Sequence, residues 1–144
     1  PGGNRPQVLA VTVLTSWDEA SWARDAASSE TIAGALMLRA QQAAAAGVDG
    51  LVCSAKDLAA LKQTFGDRFI YVCPGIRPGG TGTADDHGRA ATPAEAVAAG
   101  ADYLVIGRPI TQSSDPLAAA MAVEAEIAGA VKEFDAGRER GGGR

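Results

Sequence analysis

Two stretches decide the fold: AAAAGVDGLVCS at 43–54 and AVAAGADYLVIG at 96–107. Each reads as a helix end, a glycine C-cap, an aspartate and then a short apolar strand. They start 53 residues apart, the span of about two βα units. Four apolar runs carry the strand signal: VLAVTVL at 8–14, GLVC at 50–53, FIYVC at 69–73 and YLVI at 103–106. None shows the polar/apolar alternation of a half-exposed strand. Unbroken apolar strands belong to parallel sheets covered on both faces.

Helical patterns fill the gaps. Residues 30–46 carry Ile32, Leu36, Ala40, Ala43 and Ala44 at helical spacing and stop at Gly47. Ser54 precedes a helix over 55–65 with Leu58, Leu61 and Phe65 on its apolar face, stopped by Gly66. Thr92 and Asp115 each cap a helix opened by proline, Pro93 and Pro116. The first of these ends at Gly100 and the second near Phe134. The order β-α-β-α-β-(α)-β-α demands parallel pairing through right-handed crossovers. Residues 136–144, DAGRERGGGR less its first residue, form a Gly/Arg-rich tail read as disordered. The folded unit is residues 1–135.

Composition sets the outer limits. The chain is 47% apolar and 21% charged with net charge -4, which is globular chemistry. Alanine contributes 31 residues, and alanine packs closely in helices. No basic block supports a nucleic-acid partner, and no apolar run of about 18 residues supports a membrane span. The chain opens at Pro1 without a basic-then-apolar leader, so no signal peptide is expected, and without an initiator methionine, so residues are expected upstream. Cys53 and Cys73 sit inside apolar runs, as buried thiols of a reducing, cytoplasmic compartment do.

A βα repeat favours a (β/α)₈ barrel, yet a barrel needs roughly 250 residues and eight strands. Four strands leave two edges open and one apolar face bare. Patterning alone prefers a small open α/β sheet over the second half of a barrel; the loops change that preference.

The strand ends carry the chemistry, because parallel α/β folds bind ligands there. The first run ends in Thr15-Ser16, whose hydroxyls can donate to a carbonyl; the plain alternative is that Ser16 caps the next helix. The third ends in Pro74-Gly75-Ile76-Arg77 and enters a polar loop to Ala91 with glycines at 79, 80, 82 and 88. Such a loop fits a ligand-covering lid, or else an unstructured insertion. The fourth ends in Gly107-Arg108: a glycine that admits a ligand to the backbone, and a planar fork matched to phosphate. The plain alternative is a solvated arginine. Arg77 and Arg108 on adjacent strand ends suit one dianion. His87, the single histidine, lies in the polar loop without an orienting partner. A metal site is not expected, because only Asp85 and Asp86 accompany His87. Lys56, Lys62 and Lys132 fall on helices, away from the strand ends.

VTVLTS at 11–16, GVDGLVCSA at 47–55, PGIRP at 74–78 and RAATPAEAVAAGADYLVIGRPIT at 89–111 together resemble the second half of bacterial-type orotidine monophosphate decarboxylases. The resemblance runs from about residue 5 to about residue 135. It implies strands five to eight of a (β/α)₈ TIM barrel. It implies that Thr15 contacts the nucleotide near its base, that Arg77 reaches the phosphate from the loop side, and that Gly107 and Arg108 clamp the phosphate. His87 stands where the family usually has a glutamine bridging phosphate and pyrimidine. The family's lysine/aspartate array, with one aspartate from across a dimer interface, comes from early strands and has no counterpart here. The implied activity is decarboxylation of orotidine 5'-monophosphate to uridine 5'-monophosphate, without metal or organic cofactor. The implied partners are a nucleotide monophosphate, an N-terminal half-barrel or second chain, and a second complete barrel in a homodimer. Another phosphate-binding barrel lyase or isomerase, and a non-catalytic nucleotide-binding half-barrel, are the alternatives.

Overall fold

Four parallel strands follow one another across the sheet in chain order, β1 (Leu9–Val11), β2 (Gly50–Val52), β3 (Ile70–Cys73) and β4 (Tyr103–Leu104). The structure is a computed structural model and describes residues 5–26, 29–80 and 89–141. An order that never reverses, with right-handed crossovers, sends every connecting helix to the same face. A doubly wound sheet would reverse once and carry helices on both. The arrangement is that of part of a TIM barrel.

Register sorts the side chains by face. Leu9 aligns with Gly50 and Gly50 with Ile70, while Val11, Val52, Val72 and Tyr103 form a second row. These residues share one face. The other face carries Ala10, Leu51, Tyr71, Cys73 and Leu104. That second face is the core: Leu51, Tyr71 and Cys73 are fully buried with Leu36, Ala40, Leu58 and Leu61 from the helices above. Both cysteines are free and buried, as expected. The first face is bare at its margins, with Val11 58% and Tyr103 60% exposed. At Gly50 a Cβ would stand 2.6 Å from Leu9 Cδ2, so the missing side chain is what lets Leu9 lie across β2.

Helix α2 (Ile32–Ala46) is capped by Thr31 and closed by Gly47 at φ 73°. Thr92 and Glu95 form a capping box on α4 (Pro93–Ala98). Four details differ from the sequence reading. The helix expected over 55–65 is a 3₁₀ turn, Ala55–Asp57, followed by α3 (Leu58–Phe65). An additional helix, α1 (Glu19–Asp25), is capped by Asp18 and not Ser16, because the Asp18 carboxylate reaches the Ser21 amide at 2.7 Å. A further four-residue turn, α5 (Arg108–Thr111), follows β4. The last helix, α6 (Pro116–Gly141), continues past the expected end near Phe134. Glu133, Arg138, Glu139 and Arg140 are good helix formers and outweigh Gly137. Among the described residues no helix is long and apolar enough to cross a membrane.

Candidate functional site

A cavity of about 230 Å³ opens at the C-terminal ends of β1, β2 and β3. Val11, Val52 and Pro74 give it apolar walls, and Thr15, Ser16 and Cys53 line its polar side. It lies where parallel α/β folds hold ligands.

Thr15 and the Pro74–Arg77 turn meet there. Gly75 sits at φ 78°, a left-handed backbone that strains other residues. A Cβ at Gly75 would stand 3.3 Å from Thr15 Oγ1, so the Thr15 hydroxyl lies against this turn. Two residues on, the Arg77 amide donates to the Ala91 carbonyl at 2.8 Å, and Ile76 pairs with Ala91 in a parallel bridge. The half-buried Arg77 side chain donates from Nη1 to the Ile76 carbonyl at 3.0 Å. The backbone around Arg77 is therefore fixed from both sides.

Gly107 and Arg108 follow β4, the neighbour of β3, at this same end of the sheet. Gly107 caps α5; its carbonyl accepts from the Ile110 and Thr111 amides at 2.9 and 3.1 Å. Chain neighbours apart, no atom of the described residues lies within 4 Å of the place a Gly107 Cβ would take, and Arg108 is exposed. The fold thus joins Thr15 to the Arg77 turn and sets Arg108 on the adjoining strand end. His87 lies outside the described residues.

The sequence reading missed two charged residues that pair close to the Arg77–Ala91 bridge. Arg89 is 8% exposed and pairs through Nη2 with Asp57 Oδ2. Burial pushes the Asp57 carboxyl above its usual range, although the neighbouring guanidinium and the Ser54 amide pull the other way. Asp57 is legible as the N3 residue of a Ser54-x-x-Asp57 capping box. Arg89 carried no signal beyond its place before the small residues Ala90 and Ala91. On the core side, contact with Cys73 and then burial hold the Cys53 thiol protonated. Burial also pushes the Tyr71 phenol up to about 12. Neither group is poised as a nucleophile or base near neutrality. Among the described residues no three His, Cys, Asp or Glu side chains gather as metal ligands would.

Comparison with known proteins places the chain. Residues 2–123 match the family model described as "Orotidine 5'-phosphate decarboxylase / HUMPS family". An orotidine 5'-phosphate decarboxylase of Rhodopseudomonas palustris (strain BisA53) is 51% identical over 129 residues, covering 90% of this chain and 54% of that protein. One of Nitrosococcus oceani is 49% identical over 126 residues, 86% of this chain and 53% of that protein. The crystal structure of the Lactobacillus acidophilus orotidine 5'-phosphate decarboxylase superposes with TM-score 0.69 at 37% identity, over 88% of this chain and 52% of that one. The chain spans about half the length of the curated relatives it matches. A family model that covers most of the chain, with relatives near half identical, makes this chain a member of the orotidine 5'-phosphate decarboxylase / HUMPS family.

Proposed function

We propose that this chain is the phosphate- and nucleotide-binding half of an enzyme that converts orotidine 5'-monophosphate to uridine 5'-monophosphate. In this reading β1 to β4 are barrel strands five to eight. The observation that carries it is the meeting of Thr15 with the Gly75–Arg77 turn at the ligand end of the sheet, beside the strand that ends in Gly107-Arg108.

The chemistry divides between two halves. Arg77 and Arg108 present forked donors to a phosphate dianion, and the open Gly107 backbone admits it closely. The Thr15 hydroxyl serves the base end of the nucleotide. Binding energy from the phosphate offsets the cost of ordering the site around a distant reacting carbon. His87 takes the place of the amide that links phosphate and pyrimidine. The bond from C6 to the carboxylate breaks, carbon dioxide leaves, and the electron pair stays on C6. A lysine of the complementary half gives C6 its proton, and the array of carboxylates and lysine around it favours the carbanion over the substrate carboxylate. Lys56, Lys62 and Lys132 lie on the 3₁₀ turn and helices and do not serve this step.

The bare sheet face supports the same reading. Leu9, Val11, Tyr103 and Val105 are exposed apolar residues at the two margins, where four further strands would close the barrel. Two complete barrels would then pair as a dimer. The test supplies the missing half: the segment of the Rhodopseudomonas palustris relative that this chain does not cover is co-expressed with it. The assembled protein should release carbon dioxide from orotidine 5'-monophosphate. An assembled, nucleotide-binding protein that leaves this substrate intact overturns the assignment.

A further inference from the structure

Arg89, Asp57 and Ser54 form a closed polar cluster two residues from Ala91, the partner of Arg77. Arg89 Nη2 donates to Asp57 Oδ2. The Arg89 carbonyl accepts from Ser54 Oγ at 3.0 Å, and the Ser54 amide donates to Asp57 Oδ2 at 3.3 Å. Ser54 is wholly buried. The cluster ties the segment at 89–91 to the start of the turn that leads into α3. Two residues beyond Arg89, Ala91 receives the Arg77 amide. The path from the buried pair to Arg77 is therefore one short stretch of backbone and one hydrogen bond.

Stability alone does not account for this arrangement. Removing two charges from water costs several kcal/mol per ion, and an apolar pair of similar volume is often as stable or more so. The Arg89 Nη1 atom is buried and finds no hydrogen-bond partner among the described residues. What the cluster gives in return is geometry: two directional bonds hold Arg89, one at its guanidinium and one at its carbonyl, and a third within the Ser54–Asp57 cap braces them.

We propose that Ser54, Asp57 and Arg89 are positioning residues that fix the backbone of Arg77, and so aim its guanidinium at a bound phosphate. The identity of the ligand rests on the proposed nucleotide function; the fixing of Arg77 does not. Arg89 itself touches no ligand in this scheme.

Hydrogen exchange on the full 144-residue chain reads the fixing without any ligand. The Arg77 amide, bonded to Ala91, is compared with the Cys53 amide, bonded to Val72 in the sheet at 3.1 Å. In Asp57→Asn and Arg89→Met the Arg77 amide should exchange about tenfold faster or more while the Cys53 amide is unchanged. Arg89→Lys should restore part of the protection. Unchanged Arg77 exchange in both variants, or equal acceleration of both amides, overturns the proposal. If Arg89→Met does not fold, Ser54→Ala removes only a hydroxyl and should show the same selective loss, with the same contrary results. In the barrel completed by its other half, Arg89→Met should weaken uridine 5'-monophosphate about tenfold and leave uridine unchanged. A wild-type barrel that binds both equally contradicts the nucleotide function, and the exchange measurement then still decides the role of the cluster.

Discussion

Asp49 and Asp102, 53 residues apart, make the same pair of bonds to a neighbouring strand. Asp49 accepts the Val8 amide on its carboxylate at 2.7 Å and donates its own amide to the Val8 carbonyl at 2.9 Å. Asp102 accepts the Tyr71 amide at 2.8 Å and donates to the Tyr71 carbonyl at 3.0 Å. The internal repeat is thus a structural device. Each glycine-capped helix delivers an aspartate that completes the hydrogen bonding of the preceding strand, at the rim opposite the ligand end.

Asp102→Ala should leave the buried Tyr71 amide without its acceptor and destabilise the chain by about 1–2 kcal/mol. Asp102→Asn keeps an acceptor oxygen and should lose less. Urea unfolding of the three proteins measures the order; equal midpoints for wild type and Asp102→Ala contradict the assignment.

Acid should loosen the fold. Hydrogen bonding to Arg5 and then the Val8 amide hold Asp49 below the usual carboxylate range. The Ser21 amide does the same for Asp18, and the Thr92 amide for Glu95. A lowered folded pKa gives stability that is whole above the unfolded value and is lost as pH falls through the folded one. Asp57 acts in the opposite sense: its raised pKa means that its protonation favours the folded chain. Three lowered groups against one raised predict falling stability from about pH 5 to about pH 3. Urea midpoints against pH should show this slope, flattened in Asp49→Asn and steepened in Asp57→Asn. Superimposable curves for wild type and Asp49→Asn contradict it.

The two sheet faces should answer differently to truncation. Leu51→Ala or Leu61→Ala opens a cavity at a fully buried site and should cost about 2–5 kcal/mol. Val11→Ala lies on the bare face and should change the isolated chain by no more than about 0.5 kcal/mol. In the completed barrel the same change should become measurably destabilising. A large cost for Val11→Ala in the isolated chain would show that its face is already covered.

The bare face and two open edges also predict association. Among the described residues β1 and β4 each have one strand neighbour, and Val8, Leu9, Tyr103 and Val105 are exposed beside them. Sedimentation of the purified chain should show species larger than a monomer, and adding the complementary half should replace them with one defined complex. A sharp monomer with a cooperative melt contradicts this.

Much of this architecture is legible in local chemistry. Gly47, Thr92 and Pro93 mark helix ends through bonds made within a few residues, and the structure shows them at those ends. The apolar runs name the strands, although β4 covers only Tyr103–Leu104 of its run. What local pattern does not reveal is long-range pairing. Asp18 and Ser16 are both fair caps, and only the turn geometry before α1 selects Asp18. The contact of Thr15 with Gly75 needs the β1–β2–β3 order. The Arg89–Asp57 pair joins residues 32 positions apart, and a buried arginine in a polar stretch has no period to betray it. Strand ends and family resemblance single out Thr15, Arg77, Gly107 and Arg108. Their placement at one end of the sheet follows from the parallel topology.

Whether this strand-end site grips a phosphate is decided by Arg108→Ala in the completed barrel. Calorimetry compares uridine 5'-monophosphate with uridine in wild type and variant. Truncating one partner of a charge pair costs about 2–5 kcal/mol when the pair is desolvated. The variant should lose affinity of that order for the nucleotide and almost none for the nucleoside. Equal losses for both ligands, or none for either, would contradict it.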